Sequence, residues 1–425
     1  MRRSICAAMA LVWTAIPVIA QTASGALTLD DCIRLAESAP STITLARQQT
    51  EIARYGLAQA RANFLPQFSI GNSFIYNSPS TPGNADAFSF VALNGVREYT
   101  SLGSASLELD TSGRLRALHA RARAEQDAAA ANLGLTRRDL RRAVASAYYR
   151  LLLGRHLVQS AREVLREAQS FERRTKLLFQ NGEAAQADVV KASAEVAFLE
   201  QALTAAELEA RIANHELASF WTTSVEDALS LVDVLDQPAV PPEAPAGAPF
   251  LKRLEFQFLD AQRRGFVADA RRARAERLPQ MSLVTQYGID SLHVRIRDRG
   301  YASFVHLNIP VFDWFRARGA TRQFRLQAQQ VETNRQITER AFSRDYRDAL
   351  ARVELIFSQI SITGAQVKLS EDNLRLSRIR YEGGEGSALE VVTAHTQLAQ
   401  ARSNYFTVKA GYLNARVELE VAAGR

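Results

Sequence analysis

Ala62-Asn63-Phe64-Leu65-Pro66-Gln67-Phe68-Ser69-Ile70 and Ala275-Glu276-Arg277-Leu278-Pro279-Gln280-Met281-Ser282-Leu283 are two copies of one pattern. In each, a helix-like stretch runs into Leu-Pro-Gln and then into alternating apolar and polar residues. A long proline-free stretch follows each copy, then a short glycine turn, Phe179-Gln180-Asn181-Gly182-Glu183 or Tyr381-Glu382-Gly383-Gly384-Glu385, then a second helix-like stretch. The chain is therefore an internal duplication, a long-helix unit with strands in its middle.

Proline placement sets the scale. Of the 12 prolines in 425 residues, none lies between Pro82 and Pro238 and none follows Pro310. Proline removes an amide donor and clashes with the preceding helical turn, so these tracts suit long helices. A helix of roughly 65 residues spans on the order of 100 Å, a rod rather than part of a compact domain. The spacing inside the tracts is that of coiled coils. Val144, Ala147, Leu151, Gly154, Val158, Ala161, Leu165 and Ala168 alternate by three and four, as do Leu389, Val392, Thr396, Ala399, Ser403, Phe406, Ala410, Leu413 and Val417. Residues 27–64 read as helical, capped by Thr28 or Asp30 and divided at Pro40. The boundaries that follow are a leader at 1–20, repeat one at 21–236, a proline-rich linker at 237–249 and repeat two at 250–425.

The leader has a basic start at Arg2 and Arg3, an apolar core from Ile5 to Ala15 and small residues at Val18-Ile19-Ala20, the pattern of an export signal. Cys6 would leave with it, and Cys32 alone cannot form an internal disulfide. The net charge of +7 comes from arginines spread among Glu and Ala on helical faces. No basic patch interleaved with aromatics is present, so nucleic acid is not an expected partner. Nothing beyond the leader is apolar enough to cross a membrane as a helix, so any membrane crossing must use strands.

Two strand pairs have that character. On residues 66–77, Phe68, Ile70, Phe74 and Tyr76 share a face, with Asn72 the exception; on 98–109, Tyr99, Leu107 and Leu109 do. In copy two, Met281, Leu283, Tyr287 and Ile289 share a face, then Tyr301, Val305, Leu307 and Ile309. Each copy thus supplies a hairpin, about 66–109 and 279–310, with exposed loops at 78–96 and about 289–299. Tyr76, Tyr99, Tyr287 and Tyr301 sit near the loop ends of their strands, where an aromatic girdle meets the membrane interface. Four strands cannot close a barrel, and an open edge in lipid leaves backbone groups unpaired at several kcal/mol each. Three copies would pool twelve strands, and their helices would form a tube continuing from the barrel.

At this point the chain resembles the TolC-like outer-membrane efflux proteins of Gram-negative bacteria. The resemblance spans nearly the whole mature chain. It rests on Leu27-Thr28-Leu29-Asp30-Asp31 with Leu35-Ala36, the two Leu-Pro-Gln segments, Ile309-Pro310-Val311-Phe312-Asp313 and the two glycine tips. It implies a fold of mainly α structure with membrane β structure: a trimeric 12-stranded β-barrel continued by a helical periplasmic tunnel. It also implies a homotrimer in outer-membrane lipid, working with a periplasmic adaptor and an inner-membrane RND or ABC transporter. By the same resemblance Gly182, Glu183, Gly384 and Glu385 form adaptor-docking tips. Asp188, Tyr381 and Glu390 match residues of the pore constriction. Thr393 stands where a second ring acid can sit, and Gly386 where a basic latch residue often sits.

Catalytic signatures are missing. The six histidines form no HExxH pair and no cluster with cysteine, and there is no phosphate loop or GxSxG motif. No enzyme, cofactor or metal centre is expected. The reading is a passive exit duct for small molecules, with protein secretion as the alternative. A periplasmic coiled-coil adaptor fits less well, because it would carry one hairpin rather than two. A coiled-coil surface stalk would need no duplication.

Overall fold

A computed structural model of the chain describes residues 25–77, 97–241 and 247–424. The leader, Cys6, the loop at 78–96 and part of the proline-rich linker lie outside these residues. The elements run α1 (Leu29–Ser38), α2 (Thr42–Ala62), β1 (Gln67–Tyr76), β2 (Arg97–Leu109), α3 (Arg114–Gln180), α4 (Gln186–Ala218), α5 (Leu254–Ala275), β3 (Gln280–Ser291), β4 (Arg299–Asn308), α6 (Arg316–Glu382) and α7 (Ala388–Ala422). The duplication is visible in the lengths, since α3 and α6 are each 67 residues long. Thr28 caps α1 in a capping box with Asp31. Ala39 is extended before Pro40, which ends the helix there.

The four strands form one antiparallel sheet in the order β1-β2-β3-β4. Its register carries the apolar positions named above to a single face, except Ile309, which lies just past the end of β4. Phe68 pairs with Ala105, Leu107 with Leu283, and Leu283 with Val305. Phe68, Ile70, Tyr301 and Val305 are among the most exposed large apolar side chains. The other face carries Ser69, Ser73, Thr100, Ser104, Gln286, Asp290 and His306, as strand alternation requires. β1 and β4 pair on one side only. In copy two the strands are longer than their own periodicity suggested. β3 continues to Ser291 because Ser291 pairs with Tyr99 of β2, so the loop shortens to 292–298, with a 3-10 turn at Ile296–Asp298.

The helices pack side by side. α2 and α5 flank the sheet-proximal half of α3, and α5 bridges to α6. α4 lies on the distal half of α3 and α7 on α6, while α7 also touches α3 and α4. The stripe on α3 is buried as spaced: Val144, Ala147, Leu151, Gly154, Leu165 and Ala168. A Cβ on Gly154 would stand 3.0 Å from the Ala210 Cα, so glycine sets the spacing of α3 and α4. On α7 the stripe read from the sequence is only part of the packing. Val392, Ala399, Leu413 and Val417 pack toward α3 and α4. A second stripe of Val391, His395, Leu398, Tyr412, Ala415 and Leu419 is the more deeply buried, and its Tyr412, Ala415 and Leu419 pack on α6.

Between the copies the chain is ordered by contact. Leu231 pairs in parallel with Leu27, Leu235 is fully buried, and the Tyr148 hydroxyl donates to the Val232 carbonyl at 2.6 Å. Val240, inside the expected linker, accepts from the Tyr412 hydroxyl. Cys32 lies beneath this strap, and burial pushes its thiol up to about 12, with the Asp31 charge adding to the shift.

Candidate functional site

The two helical hairpin tips are built alike. In each, glycine takes the left-handed conformation two residues past the helix, at φ +79° for Gly182 and +75° for Gly384. The Glu183 amide donates to the Leu178 carbonyl at 2.8 Å and Gly182 to Phe179 at 3.0 Å; Glu385 donates to Arg380 at 2.9 Å and Gly384 to Tyr381 at 3.1 Å. This is the Schellman end, which satisfies the last carbonyls and requires glycine for its backbone alone. All four tip residues are exposed, and nothing crowds either glycine.

The next helices begin with carboxylates that complement the positive helix end. Asp188 stands in the first turn of α4, 3.9 Å from Lys191. Glu390 stands in the first turn of α7, its amide bonded to the Ser387 hydroxyl. Glu390 is not a free acid. Arg380, at the end of α6, reaches across the tip and places a guanidinium nitrogen 3.2 Å from its carboxylate. Gly386 makes this possible: a Cβ there would meet the Arg380 Cβ and the Tyr381 nitrogen at 3.1 Å. The basic partner is therefore Arg380, ten positions earlier, while position 386 supplies room. Sequence reading missed Arg380, although a base in the last turn of the helix before the tip was the available signal.

Tyr381 is buried rather than displayed. It packs with Phe171, Leu374, Val391 and Leu398, its ring 5.1 Å from that of Phe171, and its hydroxyl has no partner among the described residues. Asp188 and Tyr381 are not joined by a hydrogen bond, and Thr393 is exposed. Just above, Glu195 is buried and accepts from the Thr396 hydroxyl at 3.2 Å, and burial raises its carboxyl above the usual range. His395 is buried against Phe171, and burial, helped by the Arg378 charge, lowers its pKa to about 4.

At the opposite end, the register pairs Tyr287 with Tyr301 and places both level with Gly103. Tyr99 lies four residues further toward the loop, paired with Phe74, their rings 4.9 Å apart. The two hairpins are thus staggered along the strand direction, as a sheared barrel needs.

A family model described as outer membrane efflux protein matches residues 33–223 and 252–425. The chain belongs to the outer membrane efflux protein family. Its members are non-enzymatic transport proteins of the outer membrane, and this chain is an outer-membrane protein. Nodulation protein T of Rhizobium leguminosarum bv. viciae is 24% identical over 321 residues, 74% of this chain and 67% of that protein. Among solved structures, the Campylobacter jejuni outer-membrane channel CmeC superposes with a TM-score of 0.80 at 18% identity, covering 93% of this chain and 85% of its own. The open state of the Neisseria gonorrhoeae outer-membrane channel MtrE gives 0.79 at 20%, covering 93% and 88%. These structural likenesses establish the fold. Among the described residues, no helix is long and apolar enough to cross a membrane.

Proposed function

We propose that three copies of this chain close a twelve-stranded barrel in the outer membrane and continue it as a helical tunnel. One observation carries the reading: a four-stranded sheet with a bared apolar face and, among the described residues, no partner on the outer edge of either β1 or β4. In lipid the unpaired edges are tolerable only if β4 of one copy pairs with β1 of the next. The polar face then lines the bore, and Tyr76, Tyr99, Tyr287 and Tyr301 meet the interface on the loop side.

The function is that of a passive exit duct. An energised inner-membrane transporter, of the RND or ABC type, loads it through a periplasmic adaptor that docks on Gly182, Glu183, Gly384 and Glu385. Residues 1–20 direct export. Small toxic molecules are the proposed cargo. A polypeptide secretion duct is the second reading, and loss of drug tolerance or of a secreted protein in a deletion strain separates them.

The constriction is proposed to lie at the tips, where Glu390 of each copy approaches the trimer axis with Asp188 and Thr393 around it and Tyr381 packed behind it in the core of that copy. Each Glu390 carries Arg380 with it, so the ring is one of ion pairs. Native mass in detergent should show a trimer, and a monomer would sink the reading. In planar bilayers, Arg380→Gln should shift the reversal potential toward cation preference and Glu390→Ala toward anion preference. Unchanged selectivity in both would remove the ring.

A further inference from the structure

The sheet-proximal helices are rich in unbalanced arginine. α3 leaves the sheet and α5 returns to it, and the groove between them is lined by Arg116, Arg123, Arg263, Arg264, Arg271 and Arg274, all exposed. Arg116 is paired with Asp110 at 2.7 Å, Arg264 with Asp127 at 3.0 Å, and Arg263 with Asp260 at 3.3 Å. The side chains of Arg123, Arg271 and Arg274 make no hydrogen bond or ion pair among the described residues. The N-terminus of α3 is itself answered by Asp110, whose carboxylate accepts from the Leu115 and Arg116 amides at 2.9 and 3.2 Å, so the unanswered charge is that of Arg123, Arg271 and Arg274 along the groove. Among the described residues no carboxylate answers these three guanidinium groups, and an anion in the groove would.

The position of the groove says which anion. Arg123 stands about five whole turns before Arg141, hence on the same side of α3. Arg141 pairs with Glu37 of α1 at 3.0 Å, so the groove opens on the face that carries α1, the outer face of a tunnel whose bore must stay clear. At the base of the same sheet, between the end of β4 and the start of α6, the chain forms an apolar collar. Val311, Phe312, Trp314 and Phe315 are exposed, and Trp314 and Phe315 hold left-handed φ values of 52° and 62°. Such values cost non-glycine residues about 1–3 kcal/mol each and call for a compensating contact. The collar continues the bared face of the sheet, so the groove lies where phosphates of the inner leaflet would stand.

We propose that the α3–α5 groove binds the headgroup of an anionic phospholipid of that leaflet, through Arg123, Arg271 and Arg274, while the collar holds the acyl chains. Guanidinium groups suit this task because their planar donors match phosphate oxygens in pairs. The groove is central in the subunit, flanked by α2 and α6, so a neighbouring copy does not cover it. The inference rests on the barrel reading for its orientation.

The test compares nanodiscs of phosphatidylethanolamine alone with a phosphatidylethanolamine–phosphatidylglycerol mixture. Phosphatidylglycerol retained on the trimer is counted by native mass spectrometry. Wild-type protein should retain it preferentially. Arg123→Gln, Arg271→Gln and Arg274→Gln together should cut retention by about tenfold or more. The same number of exposed arginines removed away from the groove, Arg173→Gln and Arg174→Gln near the tip and Arg211→Gln on α4, should leave it unchanged. Equal retention by the groove variant, or equal loss in the control variant, overturns the proposal. So does displacement of phosphatidylglycerol by inorganic phosphate alone, which would mark a free-anion site. A trimer without lipid preference fails this inference only, whereas a monomer fails the barrel on which it rests.

Discussion

His395 sits in the apolar core above the tips, 3% exposed, with Nδ1 unpartnered among the described residues. Its pKa is about 4 in the fold against 6.5 when unfolded. Between those values the unfolded chain binds more protons, so stability falls as pH drops from 6.5 to 4 and is level outside that window. The loss is about 3 kcal/mol, by the energy equivalent of the shift. Glu195, raised by burial, acts in the opposite sense and is common to any pair of proteins compared. His395→Leu should therefore flatten the pH dependence of the denaturation midpoint relative to wild type. Parallel curves for the two would show that His395 is not the group responsible. The histidine type was visible in the sequence, but its titration was not, because burial comes from α3 and α6 residues far along the chain.

At the scale of elements, the close approach of α3 to α4 depends on Gly154. A side chain there must displace the Ala210 backbone, since even a Cβ lies 3.0 Å from its Cα. Gly154→Leu should cost about 1–3 kcal/mol by overpacking, read as a lower midpoint in chemical denaturation, with Gly182→Ala as a comparison that strains only an open turn. A stability equal to wild type would mean that the hairpin spreads without cost. The heptad spacing made the α3 stripe legible. On α7 it revealed the stripe facing α3 and α4 and missed the deeper stripe one residue earlier, part of which packs on α6. A helix gripped on two sides carries two stripes, and periodicity alone does not assign them to partners.

For the whole molecule the bared sheet face is the central fact. Val305 lies mid-strand on that face, opposite Leu283. Val305→Arg should cost about 2–4 kcal/mol at bilayer depth and lower the yield of heat-stable trimer in the outer-membrane fraction. Ala302→Arg on the polar face of the same strand should insert normally. If both variants insert equally, the assignment of faces is wrong. Only the register across β2 and β3 joins the two hairpins into one sheet.

Sequence by itself determined the duplication, the long helices, the amphipathic strands, the glycine tips and the family, because each is written in local periodicity or in the placement of proline and glycine. Tertiary structure alone decided that Arg380 answers Glu390, that Tyr381 turns inward, that residues 219–241 form an ordered strap and that unpaired arginines gather between α3 and α5. Those facts depend on which distant segments meet. Such meetings are settled by packing and charge in three dimensions, which no short-range pattern along the chain encodes.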